Sequence, residues 1–137
     1  MITEYDNRVY TKSKYEEEFK SICFDVLNHM REHFMEYKEK TSSLGYSNTF
    51  RARTIAKEFD KLISEYGFEL DERTLTHAYG IGNNNEWKVA DKDLNYVAEF
   101  HATDNMYRGV ILYVTIRGER LDGFEICSGG FIRESKR

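Results

Sequence analysis

Three groupings of residue types in this chain have a spacing that chemistry can use, and the tightest is His29-Met30-Arg31-Glu32-His33. On a helix, positions i and i+4 share a face, so two such histidines can hold a zinc ion while a glutamate activates water. The surrounding apolar residues work against that use. On a helical wheel His33 falls near the middle of the apolar stripe and His29 at its edge, whereas Glu32 points about 100° away. That suits a core-lining histidine and a solvated carboxylate. His29, His33 and Glu36 keep a ligand-like spacing on one flank, but no metal site and no catalytic residue is expected.

The second grouping is Glu99 and His101, which share a strand face, followed by Arg108 and Arg117. A ribonuclease needs these types: a base and acid near the ribose, and cations for the charge that develops on phosphorus. A basic cleft normally accompanies them, and the net charge here is -4. No segment carries the sustained positive field of a nucleic-acid binder. Nucleic acid is therefore not an expected partner.

The third grouping is aromatic. Tyr79, Trp87, Tyr96, Phe100, Tyr107 and Tyr113 offer ring faces, while Asn83, Asn84, Asn85, Arg108 and Arg117 offer donors suited to a nucleotide-like ligand between a helix layer and a sheet. Gly80 to Asn85 (GIGNNN) reads as a loop rather than a phosphate cradle. It lacks the third glycine and the Lys-Ser/Thr pair of the phosphate-binding fingerprints.

The elements that must position these residues follow from periodicity and from glycine. Of nine glycines, only Gly45 precedes Gly67, which indicates a helical front and a sheet-forming back. Tyr15, Phe19, Ile22, Cys23, Val26, Leu27, Met30, Phe34 and Tyr37 recur every three or four residues and predict a long helix from Ser13 to about Lys40. Ser13 is its expected N-cap, with Glu16 reaching back as in a capping box. After a loop over Thr41 to Asn48, a second, medium helix carries Ala52, Ile55, Ala56, Phe59, Leu62, Ile63 and Tyr66 inward and ends at Gly67, with Phe68 folding back on Ile63. The two are expected as an antiparallel hairpin.

Residues 71 to 79 fit either a short helix or a strand, and a short helix or irregular connector is preferred. Then come strands at Trp87 to Ala90, Leu94 to Ala102, Val110 to Ile116 and Phe124 to Cys127, with Phe131 to Arg137 as a loose or edge tail. The expected fold is α+β: a helical half over about 13–66 packed on an antiparallel meander of about four strands over about 86–128. Residues 1–137 make one domain on this reading.

Two widely spaced cysteines, Cys23 and Cys127, indicate neither a disulfide framework nor a zinc ribbon, and are expected as reduced, buried small hydrophobes. No apolar run approaches the roughly 20 residues of a membrane span, and the N-terminus does not resemble a signal peptide. A cytoplasmic location is expected. With no catalytic signature and no cofactor motif, the leading expectation is a non-enzymatic binding or inhibitor protein with a protein partner. Its size and acidity are those of phage or mobile-element accessory factors that block a host defence or other protein. A homo-oligomer through the first helix is a further expectation. The alternatives are a nucleotide-type ligand-binding or sequestering protein and a small acidic ribonuclease-like enzyme. The residues expected to contact a ligand or partner are Asn83, Asn84, Asn85, Trp87, Tyr107, Arg108 and Arg117.

Overall fold

The computed structural model describes residues 2–5, 8–11, 13–33, 48–79, 83–105, 109–127 and 132–134. The chain begins with a two-stranded antiparallel hairpin, β1 (Ile2–Tyr5) and β2 (Arg8–Thr11), which the sequence reading did not anticipate. Among the described residues two helices of 17 residues each follow, α1 (Glu16–Glu32) and α2 (Asn48–Ser64). Six strands then run in strict sequence order as one antiparallel meander: β3 (Glu69–Tyr79), β4 (Asn83–Ala90), β5 (Tyr96–Asn105), β6 (Gly109–Ile116), β7 (Glu119–Cys127) and β8 (Ile132–Glu134). The fold is α+β, with six strands where about four were expected.

Both helices bury the stripe that their spacing dictates. Phe19, Cys23, Val26, Leu27 and Met30 of α1 and Ala52, Ile55, Ala56, Phe59 and Ile63 of α2 join one core with inward residues of the sheet. Alternate strand residues supply the other half, among them Trp87, Val89, Phe100, Leu112, Val114 and Phe124. Phe59 stacks on Phe100 with centroids 4.3 Å apart, fixing α2 over the centre of the sheet.

Gly67 ends α2 as expected. Its φ of +91°, with the Phe68 N–H donating to Ile63 O and the Gly67 N–H to Ser64 O, makes a Schellman cap. Phe68 is buried and meets Phe19 edge-on at 5.2 Å, tying the cap to α1.

The start of α1 departs from the sequence reading. Tyr15, not Ser13, occupies the N-cap position, and no side chain caps it. Ser13 instead accepts from the Tyr15 N–H and donates its hydroxyl to Asp91, while Glu16 is buried against Arg117 rather than turned back on the cap. A salt-bridge partner across the fold competes successfully for the carboxylate that a capping box would use. The portion of the expected first helix beyond residue 33 lies outside the described residues.

The segment over residues 71 to 79 is the middle and end of strand β3. Its alternation is obscured because β3 is an edge strand, largely exposed, with a register break between Asp71 and Thr76. Asp71 organises that break. Its carboxylate accepts from the Arg73 backbone and guanidinium and from the Tyr96 hydroxyl, and Arg73 holds it well below the usual carboxylate range. Thr74 locks the bulge by donating to Asp71 O and accepting from the Lys88 N–H.

Among the described residues no helix is long and apolar enough to cross a membrane.

Candidate binding surface on the open sheet face

The helices cover one face of the meander. On the other, the antiparallel register lines up Thr76, Glu86, His101, Tyr113 and Gly123 in a row crossing strands β3 to β7. Asn84 and Thr103 sit side by side in the next row, and Glu99 and Thr115 in the row beyond. These residues share a face because each strand alternates and the pairing is in register between them.

At the centre, the His101 imidazole lies flat on the Tyr113 ring, with centroids 4.4 Å apart and planes 3° from parallel. Close approach of β7 beside Tyr113 requires Gly123. A Cβ there would stand 2.4 Å from Tyr113 Cβ and 2.5 Å from Leu112 O, distances that a real side chain cannot hold.

Hydrogen bonds fix the imidazole edge. The Thr115 hydroxyl donates to Glu99 Oε1 at 2.7 Å, and Thr115 Oγ1 is 2.8 Å from His101 Nε2. A hydroxyl has one proton, so once Thr115 spends it on Glu99, its oxygen accepts from Nε2–H. In the neutral ring Nδ1 is then an acceptor, and it faces Glu86 Oε1 at 3.4 Å. Burial lowers the His101 pKa, opposed by the Glu99 carboxylate and assisted by Lys88. The neutral form is therefore favoured, with two acceptors, Nδ1 and a carboxylate oxygen, turned towards each other.

Beside this pair the surface dips into a half-open depression of about 260 Å³, lined by Thr76, Asn84, Glu86, His101, Thr103 and Tyr113 among others. Thr103 donates to Asn84 Oδ1 at 2.8 Å, which orients the amide along the rim.

The residues singled out from sequence are distributed unevenly. Asn84 and Asn85 both line the depression. They stand on β4 rather than in a loop, and Asn85 is buried with its amide donating to Ala102 O. Asn83 opens β4, paired with Tyr79 and Asp104. Trp87 is fully buried in the helix-covered core, where it has no surface to offer a partner. Arg117 occupies the β6–β7 turn with a φ of +51°, next to Gly118 at +81°, and its guanidinium pairs with buried Glu16. It fastens the sheet to the start of α1; Glu16 and, more weakly, Glu99 favour its charged form, while the Glu99 carboxylate itself accepts from Thr115 and the Gly118 N–H. Tyr107 and Arg108 lie outside the described residues.

The aromatic residues expected around a pocket between helices and sheet are divided between the two faces. Phe100 and Trp87 are core, whereas Tyr113 stands on the opposite face and Tyr96 is exposed with its hydroxyl on Asp71. His29 and His33 are both exposed at the end of α1, rings 4.4 Å apart, rather than lining the core. Glu36 is outside the described residues, and among those described no group of three or more His, Cys, Asp or Glu is placed to hold a metal ion.

The remaining ionic cluster is architectural. Arg31 of α1 forks onto Asp122, reaches Glu134 of β8 and Gly123 O, and lies 4.9 Å over the Phe124 ring. It clamps the helix to the far edge of the sheet. Cys23 is buried, which pushes its thiol pKa far up and leaves it unreactive, and Cys127 is buried as well.

Glu99 and His101 share a strand face by alternation alone, and Thr103 joins them because β5 runs on to Asn105. The proximity of Glu86 and Thr115 depends on the register between β4, β5 and β6, which no single strand encodes. No family model matches the chain, and neither a curated protein nor a solved structure is similar enough to add to the geometry.

Proposed function

We propose that the chain is a non-enzymatic binding protein that engages a protein partner through the open face of its sheet, centred on His101 and Tyr113. The carrying observation is the asymmetry of the sheet: one face is sealed by helices, and the other presents a stacked imidazole and phenol beside a small depression. Pockets that engulf a small molecule usually enclose about 300–1,000 Å³. A half-open 260 Å³ dip is instead the size for one side chain of a larger partner. Flat aromatic surface with fixed polar neighbours is the usual material of a protein interface. Phosphate chemistry is the weaker reading, because Arg117 is spent on Glu16 and the groups beside His101 include two carboxylates. The buried cysteines accord with work in a reducing, cytoplasmic setting.

The test is differential capture from host lysate with three baits: the wild-type chain, Thr103→Arg on the open face, and Phe24→Ser on the exposed side of α1. A partner held by wild type and Phe24→Ser but released by Thr103→Arg supports the proposal. Release by Phe24→Ser alone moves the interface to the first helix and overturns it.

A further inference from the structure

The geometry points to a cation subsite in this depression, one that receives an arginine or lysine side chain of the partner between His101 Nδ1 and the Glu86 carboxylate. The inference rests on the binding reading above and goes further by assigning the chemistry of the recognised group.

The argument is one of unmatched acceptors. Nε2 of His101 is committed as a donor because Thr115 gives its only proton to Glu99. Nδ1 and Glu86 Oε1, 3.4 Å apart, then face one another as two lone-pair surfaces. The Glu86 carboxylate makes no other hydrogen bond or ion pair among the described residues. Asn84 Oδ1 on the rim is a further acceptor, already taking the Thr103 proton. A group that satisfies this set has to bring several N–H donors and positive charge, which describes a guanidinium or an ammonium and excludes a carboxylate or phosphate.

Charge across the face agrees. Glu86 and Glu99 flank His101 on the open side. Lys88, the register partner of Glu99, offsets one of these charges and acts on His101 from the Glu99 side, with its ammonium 6.0 Å from the Tyr96 ring centroid. That leaves Glu86 as the carboxylate at Nδ1. The depression is partly shielded from water, with the His101 side chain only 17% exposed, so a charge-assisted bond formed there is screened less than one on open surface.

The closing experiment follows the His101 side-chain resonances by NMR while three probes are titrated into the full chain. The probes are acetyl-Gly-Arg-Gly-amide, the same peptide with neutral citrulline in place of arginine, and a short oligouridylate. Saturable shifts with the arginine peptide are expected, about tenfold weaker with citrulline. Glu86→Gln should weaken the arginine peptide about tenfold, and Glu86→Asp, which keeps the charge, should restore most of it. Equal binding of arginine and citrulline, or no saturable shift with arginine, overturns the cation subsite. So does an oligouridylate that moves the same resonances, which would identify a nucleic-acid surface. If the subsite fails while Thr103→Arg still releases the captured partner, the binding reading stands without it. If Thr103→Arg releases nothing, the binding reading itself falls.

Discussion

The two faces of the six-stranded sheet are written in alternate residues of the same strands, and they solve opposite problems. On β5, Ala98, Phe100 and Ala102 turn towards the helices and are buried, while Glu99, His101 and Thr103 turn away and remain partly accessible. The inner face gains from removing apolar area from water, at roughly 25 cal/mol per Å². The outer face is organised around His101 by hydrogen bonds between neighbours, and on it Ile111, Thr115 and Glu125 are buried as well. Apolar packing is thus concentrated on one side and the polar network around His101 on the other, one residue apart along the chain.

The sharpest way to break this division is to cut the inner face. Phe100→Ala, which empties the stack with Phe59 and the contact with Trp87, should cost about 3–5 kcal/mol by urea denaturation. A loss below 1 kcal/mol would show that the core is not where the helices meet the sheet. Gly123→Ala tests the seam between the faces. Its new Cβ collides with the backbone of Tyr113 and Leu112, so a loss of about 2–3 kcal/mol is expected, along with altered His101 chemical shifts. Arg31→Met strands Asp122 at the helix–sheet clamp and should lower stability by about 2 kcal/mol. Retention of wild-type stability would demote the clamp to a surface contact.

A subtler difference concerns pH. The folded pKa of His101 is lowered by burial, so the native state binds fewer protons than the unfolded chain. Its share of stability is complete above the unfolded value of about 6.5 and declines as pH falls towards the folded value. The groups facing the ring are Glu86 and Lys88 on β4, Glu99 on β5, and Tyr113 and Thr115 on β6. Thermal melts between pH 7 and pH 5 should fall less steeply for His101→Gln than for wild type; identical slopes would mean that the ring is not shielded. The smallest expected effect is that of Thr103→Arg on folding, within about 0.5 kcal/mol, as befits a partly exposed outer position. A large destabilisation would erase the distinction between the faces.

The inner face was far more legible in the sequence than the outer one. Helix stripes such as Phe19, Cys23, Val26, Leu27 and Met30 repeat a local period, and the cap at Gly67 is a local rule, so both could be read along the chain. The front hairpin and β3 escaped. β3 breaks its own alternation at a bulge held by Asp71 and Thr74, and edge strands carry little apolar signal. Leu94, the expected first residue of β5, instead has a φ of +66° and is 75% exposed, because the chain turns around Asp91 before that strand begins at Tyr96. Of the candidate surface, Glu99 and His101 could be paired by parity alone. Glu86, Tyr113 and Thr115 required the register of three strands, and Arg117 could not be known to serve Glu16, 101 residues away.

The order of elements along the chain has a consequence for how the protein is made. The meander pairs only consecutive strands, so each hairpin can close soon after it leaves the ribosome. The helices have no such luck. α1 and α2 are synthesised before any strand of the sheet that covers them, and the ring that seats Phe59 is Phe100, about forty residues later. At about 5–20 residues per second, the two apolar stripes face solvent for seconds during translation. That interval is when a chaperone has something to hold, and slowing translation between α2 and β5 should raise the fraction of nascent chain that aggregates.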